Sequence, residues 1–477
     1  MSRSLTGVPE RASEGLVPPA PSAVRIRAWQ AALAFGLIAL VTLVVHWRTF
    51  EIANLGDTGP FFEDTKGVDD LGDLILRFSS YNRVRESGKG DTLIYRPGVF
   101  VWLSLGKRLL GQENQAAWQA VSLGMHLLVC LALYLFLLRI WPGWPSILAT
   151  LWFSVLGAGD VVVIYAHVAP FSLALLLAMG ALFLVHGHAE GGHAGQGHAE
   201  TAGNGAGKLI LAALALAVAA FILEIFAVLA VAAGAYLAWT GARKRGAGAG
   251  LVRSCLRPGL HWAFFAAALV YFGVDAWDYV ARYDYIRVAK ARASLDSFGQ
   301  ILNLSTLPDT LYHFVRLFDL WIVRGIFPYF HGTLYYPLLA LGLWSGVRAA
   351  RGRGWGARRV WAEFTAACTA WLTAHPFAAL MFVCALAIAL VYILARVNLR
   401  GTTYAREAPF YAYHVWVFVL IGAADLLRKV EMPLLRGRKA VATVLFLALV
   451  VVPNIFSSQA VTDDFARRFP APVVQSR

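Results

Sequence analysis

Carboxylates crowd one polar stretch of an otherwise apolar chain, WRTFEIANLGDTGPFFEDTKGVDDLGDLILRFSSYNRVRESGKGDTLIYRP, residues 47–97. Asp57 stands just past the first apolar run, and Glu63, Asp64, Asp69, Asp70 and Asp73 follow it. A carboxylate at a membrane surface can stay ionised near the headgroups and take a proton from an incoming hydroxyl, as a general base does. The competing reading of the later acids is a solvated loop that needs charge to stay in water. For Asp57, position and local pattern favour chemistry. Tyr95-Arg96-Pro97 closes the stretch. Its guanidinium fork suits a phosphate gripped through two hydrogen bonds, and suits a loop carboxylate equally well.

The elements that must position these groups are membrane helices. With 58% hydrophobic residues and a mean hydropathy of +0.60, the 477-residue chain is too apolar for a soluble protein of its size. Uncharged apolar runs long enough to cross a bilayer recur along it. The pattern predicts an all-α polytopic membrane protein of about eleven transmembrane helices. The spans are 28–47, 115–138, 145–162, 168–186, 208–223, 225–241, 260–277, 332–348, 375–395, 410–427 and 440–457. Residues 48–114 form a large first loop carrying interfacial helices. Within it GVFVWLSLGKRLLG is amphipathic, with Lys107 and Arg108 opposing burial of its far end.

The net charge of +14 does not indicate nucleic acid, because many Lys and Arg residues sit in short links between apolar runs. Arg243-Lys244-Arg245, Arg348 to Arg359 and Arg428 to Lys439 mark the cytosolic side. Residues 1–27, rich in Pro, Ser and Ala and ending in Arg25 and Arg27, then form a cytoplasmic tail before a retained signal anchor. Residues 28–457 form the membrane domain, and 458–477 an extracytoplasmic tail. The protein is expected in the plasma or inner membrane, among its lipids. The first loop, residues 278–331 and residues 396–409 share the outer face. The four cysteines form no CxxC pair, so neither a disulfide framework nor a zinc site is expected. HGHAEGGHAGQGHAE, from His186, reads as an inside linker whose Gly and Ala spacing presets no metal geometry.

Further candidates lie on that outer face. ARVNLRGTTYAREAPFYAYH brings Arg400, Tyr404 and Arg406 together with Tyr411 and His414. It reads as a lid over a lipid headgroup, or as the Tyr and Arg that gather at any membrane interface. Asp160 and Glu224 are acids within apolar runs, a costly placement kept for pairing or function. Asp160 falls near the outer end of its span and could face the site, while Glu224 supports the site or helix packing. His126 and His167 read as satisfied helix residues rather than ligands.

The spacing Asp57-x3-Phe61-x2-Asp64, then Tyr95-Arg96-Pro97 and a short apolar helix ending in Gly111, resembles the start of GT-C class membrane glycosyltransferases. The nearest branch is the protein O-mannosyltransferase-like one that often carries tetratricopeptide tails. A span with an internal histidine, His126, follows, then Asp160 at the branch's acidic position and Glu224 where it has a glutamate inside a span. The likeness covers residues 30–240. The chain departs from it in having Gly56-Asp57 for paired aspartates, Asp64 for an asparagine, no His-Pro before Asp160 and no tetratricopeptide repeats.

The resemblance implies sugar transfer from a polyprenyl-phosphate-linked donor to a lipid, glycan or protein acceptor on the extracytoplasmic face. Asp57 would be the general base, with inversion at the sugar carbon. Asp64, Tyr95, Arg96, Asp160, Arg400, Tyr404 and Arg406 would bind substrate. Charge developing on the leaving phosphate calls for a cation, and Arg96, Arg400 and Arg406 are the candidates. The branch need not use a metal and no metal ligand is assigned, although the loop carboxylates could hold a divalent ion. A transporter, or a membrane scaffold without catalysis, is the alternative.

Overall fold

The computed structural model describes residues 27–52, 62, 82–86, 90–94, 96–191, 202–244, 255–256, 258–281, 375–396, 410–427 and 439–470, with isolated positions from 348 to 374. Asp57, Asp64, Tyr95, Arg400, Tyr404 and Arg406 lie outside the described residues.

The described fold is almost wholly helical. Helices run at α1 (Ala28–His46), α2 (Pro97–Leu110), α3 (Gln115–Ile140), α4 (Trp144–Ser154), α5 (Ala158–Ile164), α6 (Ala169–Gly191), α7 (Ala202–Ile222) and α8 (Ile225–Lys244). They continue with α9 (Trp262–Ala281), α10 (Pro376–Arg396), α11 (Phe410–Leu427), α12 (Lys439–Phe446) and α13 (Val452–Arg468), the last two joined by a π-helical turn. Each expected span has a helix at its position except 332–348, which lies outside the described residues but for Arg348. By length and composition six of the described helices could cross a membrane, or up to seven if the bent pair α4–α5 is one span. α9, α10 and α11 contain shorter apolar stretches. This is the architecture of a polytopic membrane protein.

The exposed side chains fit that setting. Leu33, Leu37 and Val44 on α1, and Val441, Val444 and Leu445 on α12, are all more than half exposed. In water such stripes would form a large apolar patch, whereas lipid tails are as apolar as leucine and exposure to them costs little. α6 lies deepest, packed on α3, α7 and α8, while α10 pairs closely with α11.

Three features depart from the expectation. The first loop contains a two-stranded antiparallel ribbon, Asn82–Glu86 paired with Gly90–Ile94 in the register Asn82 to Ile94, where only interfacial helices were expected. A three-residue link suffices to close such a hairpin. The span at 145–162 is broken, with α4 and α5 meeting at 58°. The last span runs on past residue 457 to Arg468, and beside its polar end Arg48 reaches Asp463 at 3.0 Å and Ile52 bridges Pro470.

The break in α4–α5 frees backbone carbonyls, and each needs a donor where no water is at hand. His126 Nε2 donates to the Ser154 carbonyl at 3.0 Å, and Ser458 Oγ to that of Val155 at 3.2 Å. Gln119 Nε2 donates to the carbonyl of Ile164, at the end of α5, at 3.0 Å. Two neighbouring spans thus cap the broken one.

Candidate functional site at one end of the bundle

Arg96 sits at the head of α2, with Pro97 in the first helical position. That position leaves an amide unused in any helix, so proline fits there without loss. The helix buries Val99, Phe100 and Leu103 and carries Lys107 and Arg108 in its last turn. It stops at Gly111, whose φ of 78° disfavours a side chain. The Gly111 carbonyl accepts from the Trp118 indole at 3.0 Å. The Trp118 ring also packs edge-on against buried Phe62, the one described residue between 53 and 81.

The Arg96 fork meets Glu224 through both arms: Nε donates to Oε2 at 3.0 Å and Nη2 to Oε1 at 2.8 Å. The guanidinium lies over the Phe171 ring, 5.3 Å from its centroid, a favourable cation–π placement. Arg96 is 15% exposed and Glu224 35% exposed. The resemblance placed Glu224 inside a span. It stands instead in the two-residue link between α7 and α8, where a charge is cheaper than mid-bilayer. Of the two partners that the fork suits, the described structure provides a carboxylate, drawn from 128 positions away.

One close approach sets this pair. A Cβ on Gly98 would fall 2.5 Å from Ile222 Cγ1 and 3.0 Å from its Cα. Only glycine lets the head of α2 rest on the end of α7, two residues from Glu224.

From Arg96 a run of ring contacts leads inward. Phe171 and His414 have centroids 6.5 Å apart, and His414 and Tyr413 5.7 Å. Tyr413 Oη lies 2.9 Å from His126 Nδ1. The carbonyl of Ser154 can only accept, so Nε2 carries the imidazole proton and Nδ1 accepts from the tyrosine hydroxyl. His126 packs edge-on against His46 at 5.7 Å. His46 Nδ1 in turn lies 3.7 Å from Asp160 Oδ1, with both side chains almost wholly buried.

Asp160 therefore faces His46 inside the bundle, at a separation longer than a hydrogen bond. His126 is a satisfied helix residue, as its position suggested. His414, expected with a surface lid, is fully buried between Phe171 and Phe226. Sequence reasoning overlooked His46, Tyr413 and Phe171. A histidine in the last turn of the first span was the one available signal for His46.

Contacts sort the described helix ends into two groups. The ends near Trp47–Ile52, Arg96, Tyr165–Phe171, Leu223–Phe226, Tyr413–His414 and Phe465–Pro470 touch one another. The opposite ends meet through His186 stacked on Phe377 and Arg243 bound to the Thr373 carbonyl. Among the described residues no group of three or more His, Cys, Asp or Glu could hold a metal ion.

No family model matches the chain, and no curated protein does. Among solved structures it is similar to the oligosaccharyltransferase of Archaeoglobus fulgidus. With the apo form the TM-score is 0.43 at 12% identity, over 94% of this chain and 57% of that one. With the complex with Zn and sulfate the values are 0.42 and 12%, over 90% and 53%. With the same archaeal enzyme, AglB, bound to an inhibitory peptide and a dolichol-phosphate they are 0.43 and 12%, over 94% and 57%. The match thus spans little more than half the length of those chains.

Proposed function

We propose that this protein is a GT-C-type membrane glycosyltransferase that moves a sugar from a polyprenyl-phosphate-linked donor to an acceptor hydroxyl at the Arg96 end of the bundle. The observation that carries this reading is the Arg96 guanidinium, fixed on α2 by its two-armed bond to Glu224 and by Phe171, which a lipid-linked phosphate would share with Glu224. A part-buried cation set in advance is what a leaving phosphate needs, since its charge grows as the glycosidic bond breaks. In this scheme Asp57 takes the acceptor's proton while its oxygen attacks the sugar carbon opposite the phosphate, inverting that centre. Asp64, Tyr95, Arg400, Tyr404 and Arg406 supply the remaining contacts, and the Asp160–His46 pair supports the site from beneath. The basic links Arg243-Lys244-Arg245 and Arg428 to Lys439 follow helices that end away from Arg96. The positive-inside rule then sets the site on the extracytoplasmic face. Lipids, glycans and proteins are all candidate acceptors, and a divalent ion on the loop carboxylates is compatible with the scheme.

The buried His46, Asp160 and His126 favour a second reading, a proton-linked transporter, because acid–imidazole chains within spans also serve as proton relays. The test is transfer of radiolabelled sugar from polyprenyl-phosphate donors in membranes carrying wild type, Asp57→Asn or Arg96→Ala. Transfer by wild type that vanishes in inserted, folded Asp57→Asn is expected. Full activity of Asp57→Asn would refute the assignment of the base. Proton-driven uptake into liposomes without sugar transfer would establish the transporter instead.

A further inference from the structure

The opposite end of the bundle holds a cavity of about 330 Å³ between α3, α4, α11 and α12. That volume lies near the lower bound of small-molecule pockets, roughly 300–1,000 Å³. Its walls are hydrocarbon and indole, with Trp152 and Trp416 meeting edge-to-face on the inner side at 4.6 Å. The hydroxyl of Ser146, the polar residue of the lining, is spent on the Trp141 carbonyl. A buried water needs two to four polar partners, and the one buried, unpartnered donor of these described walls, the Trp416 indole N–H, falls short of that.

The rim points to the occupant. Trp141 and Trp144 flank the turn from α3 to α4 and line the groove. Indole rings at helix ends settle at headgroup depth, so the groove lies just beneath the headgroups of that leaflet. On α12, Ala442 and Phe446 line the groove while Val441, Val444 and Leu445 face outward and are more than half exposed. The lining is thus continuous with the lipid-facing belt. We propose that this groove seats one acyl chain of a membrane phospholipid from the leaflet at that end. A polyprenyl chain with its phosphate at Arg96 would start from the opposite leaflet, across about 30 Å of hydrocarbon, whereas a phospholipid of the near leaflet reaches the groove directly. The site is separate from the Arg96 end and does not rest on the glycosyl-transfer reading.

The test is native mass spectrometry of the full chain released from phosphatidylglycerol–phosphatidylethanolamine nanodiscs. Wild type is expected to keep one phospholipid under conditions that strip the rest. Ala149→Phe and Ala423→Phe fill the groove from two walls. Each should lower the lipid-bound fraction about tenfold, whereas Leu269→Phe, on the lipid-facing side of α9, should keep it. Retention of the lipid in a folded groove-filling variant overturns the proposal. So does displacement of the lipid from wild type by polyprenyl phosphate. A second measurement needs no variant: phospholipid brominated on its acyl chains should quench a tryptophan fraction that persists after delipidating washes, and loss of that fraction with the washes refutes the site.

Discussion

Replacing Gly98 by alanine sets helix propensity against packing, and the two predict opposite signs. In a solvated helix the change would stabilise by up to about 1 kcal/mol, since alanine loses less backbone entropy. Here the new methyl would sit 2.5 Å from Ile222 Cγ1 and 3.0 Å from its Cα. Comfortable carbon contacts are about 3.5–4.0 Å, so α2 would have to back away by roughly 1 Å. The side-chain clash can be relieved by a rotamer change, but the one with the Cα cannot. Overpacking of this kind costs about 1–3 kcal/mol. Arg96 lies two residues away, so the same shift would stretch its 2.8 and 3.0 Å bonds to Glu224. Gly98→Ala should therefore lower stability in reversible SDS unfolding and weaken sugar transfer. Ile222→Ala should rescue part of the loss, with a coupling energy of about 1 kcal/mol in a double-mutant cycle. A Gly98→Ala protein as stable as wild type, or two substitutions that simply add, would refute the close approach of α2 to α7.

Glu224→Gln keeps the size of the side chain and removes its charge. It should cost about 1–2 kcal/mol of stability, and Arg96→Lys, which loses the fork, should lower transfer more than it lowers the melting temperature; equal losses in both would count against a role for Arg96 beyond packing. Tyr413→Phe strands His126 Nδ1 in the buried interior, and unfolding should show a loss of about 1–3 kcal/mol. Arg48→Ala breaks exposed links to Glu51 and Asp463 and should change stability by less than about 1 kcal/mol; a larger loss would make that pair a true clasp between the first and last spans.

What was legible in the sequence is what local composition dictates. A run such as Gln115–Ile140 must be helical in a bilayer, because only a helix satisfies its own backbone there. The helices accordingly fall where hydropathy sets them, and the amphipathic α2 lies where Pro97 and Lys107–Arg108 bracket it. The break at residues 155–157 was not legible. It depends on His126 and Ser458 supplying hydrogen bonds from spans distant in sequence. The contact between the last helix and Arg48 was hidden as well, since Arg48 is 415 positions from Asp463.

The candidate site divides in the same way. The residue types stood out by themselves: an arginine before a proline, an acid within an apolar run, a histidine inside a span. Their cost in hydrocarbon marks them wherever they fall. Pairing is a property of the packed bundle. Nothing in the sequence links Arg96 to Glu224, and the packing of α2 on α7 at Gly98 brings the two together. Asp160 and His46 lie 3.7 Å apart across two spans that the sequence does not join. The sequence alone thus determined a polytopic helical protein with rare polar groups within and beside its spans, because transfer into hydrocarbon acts residue by residue. Tertiary structure alone decided which of those groups meet, because a hydrogen bond or ion pair forms only where packing brings two partners within about 3 Å.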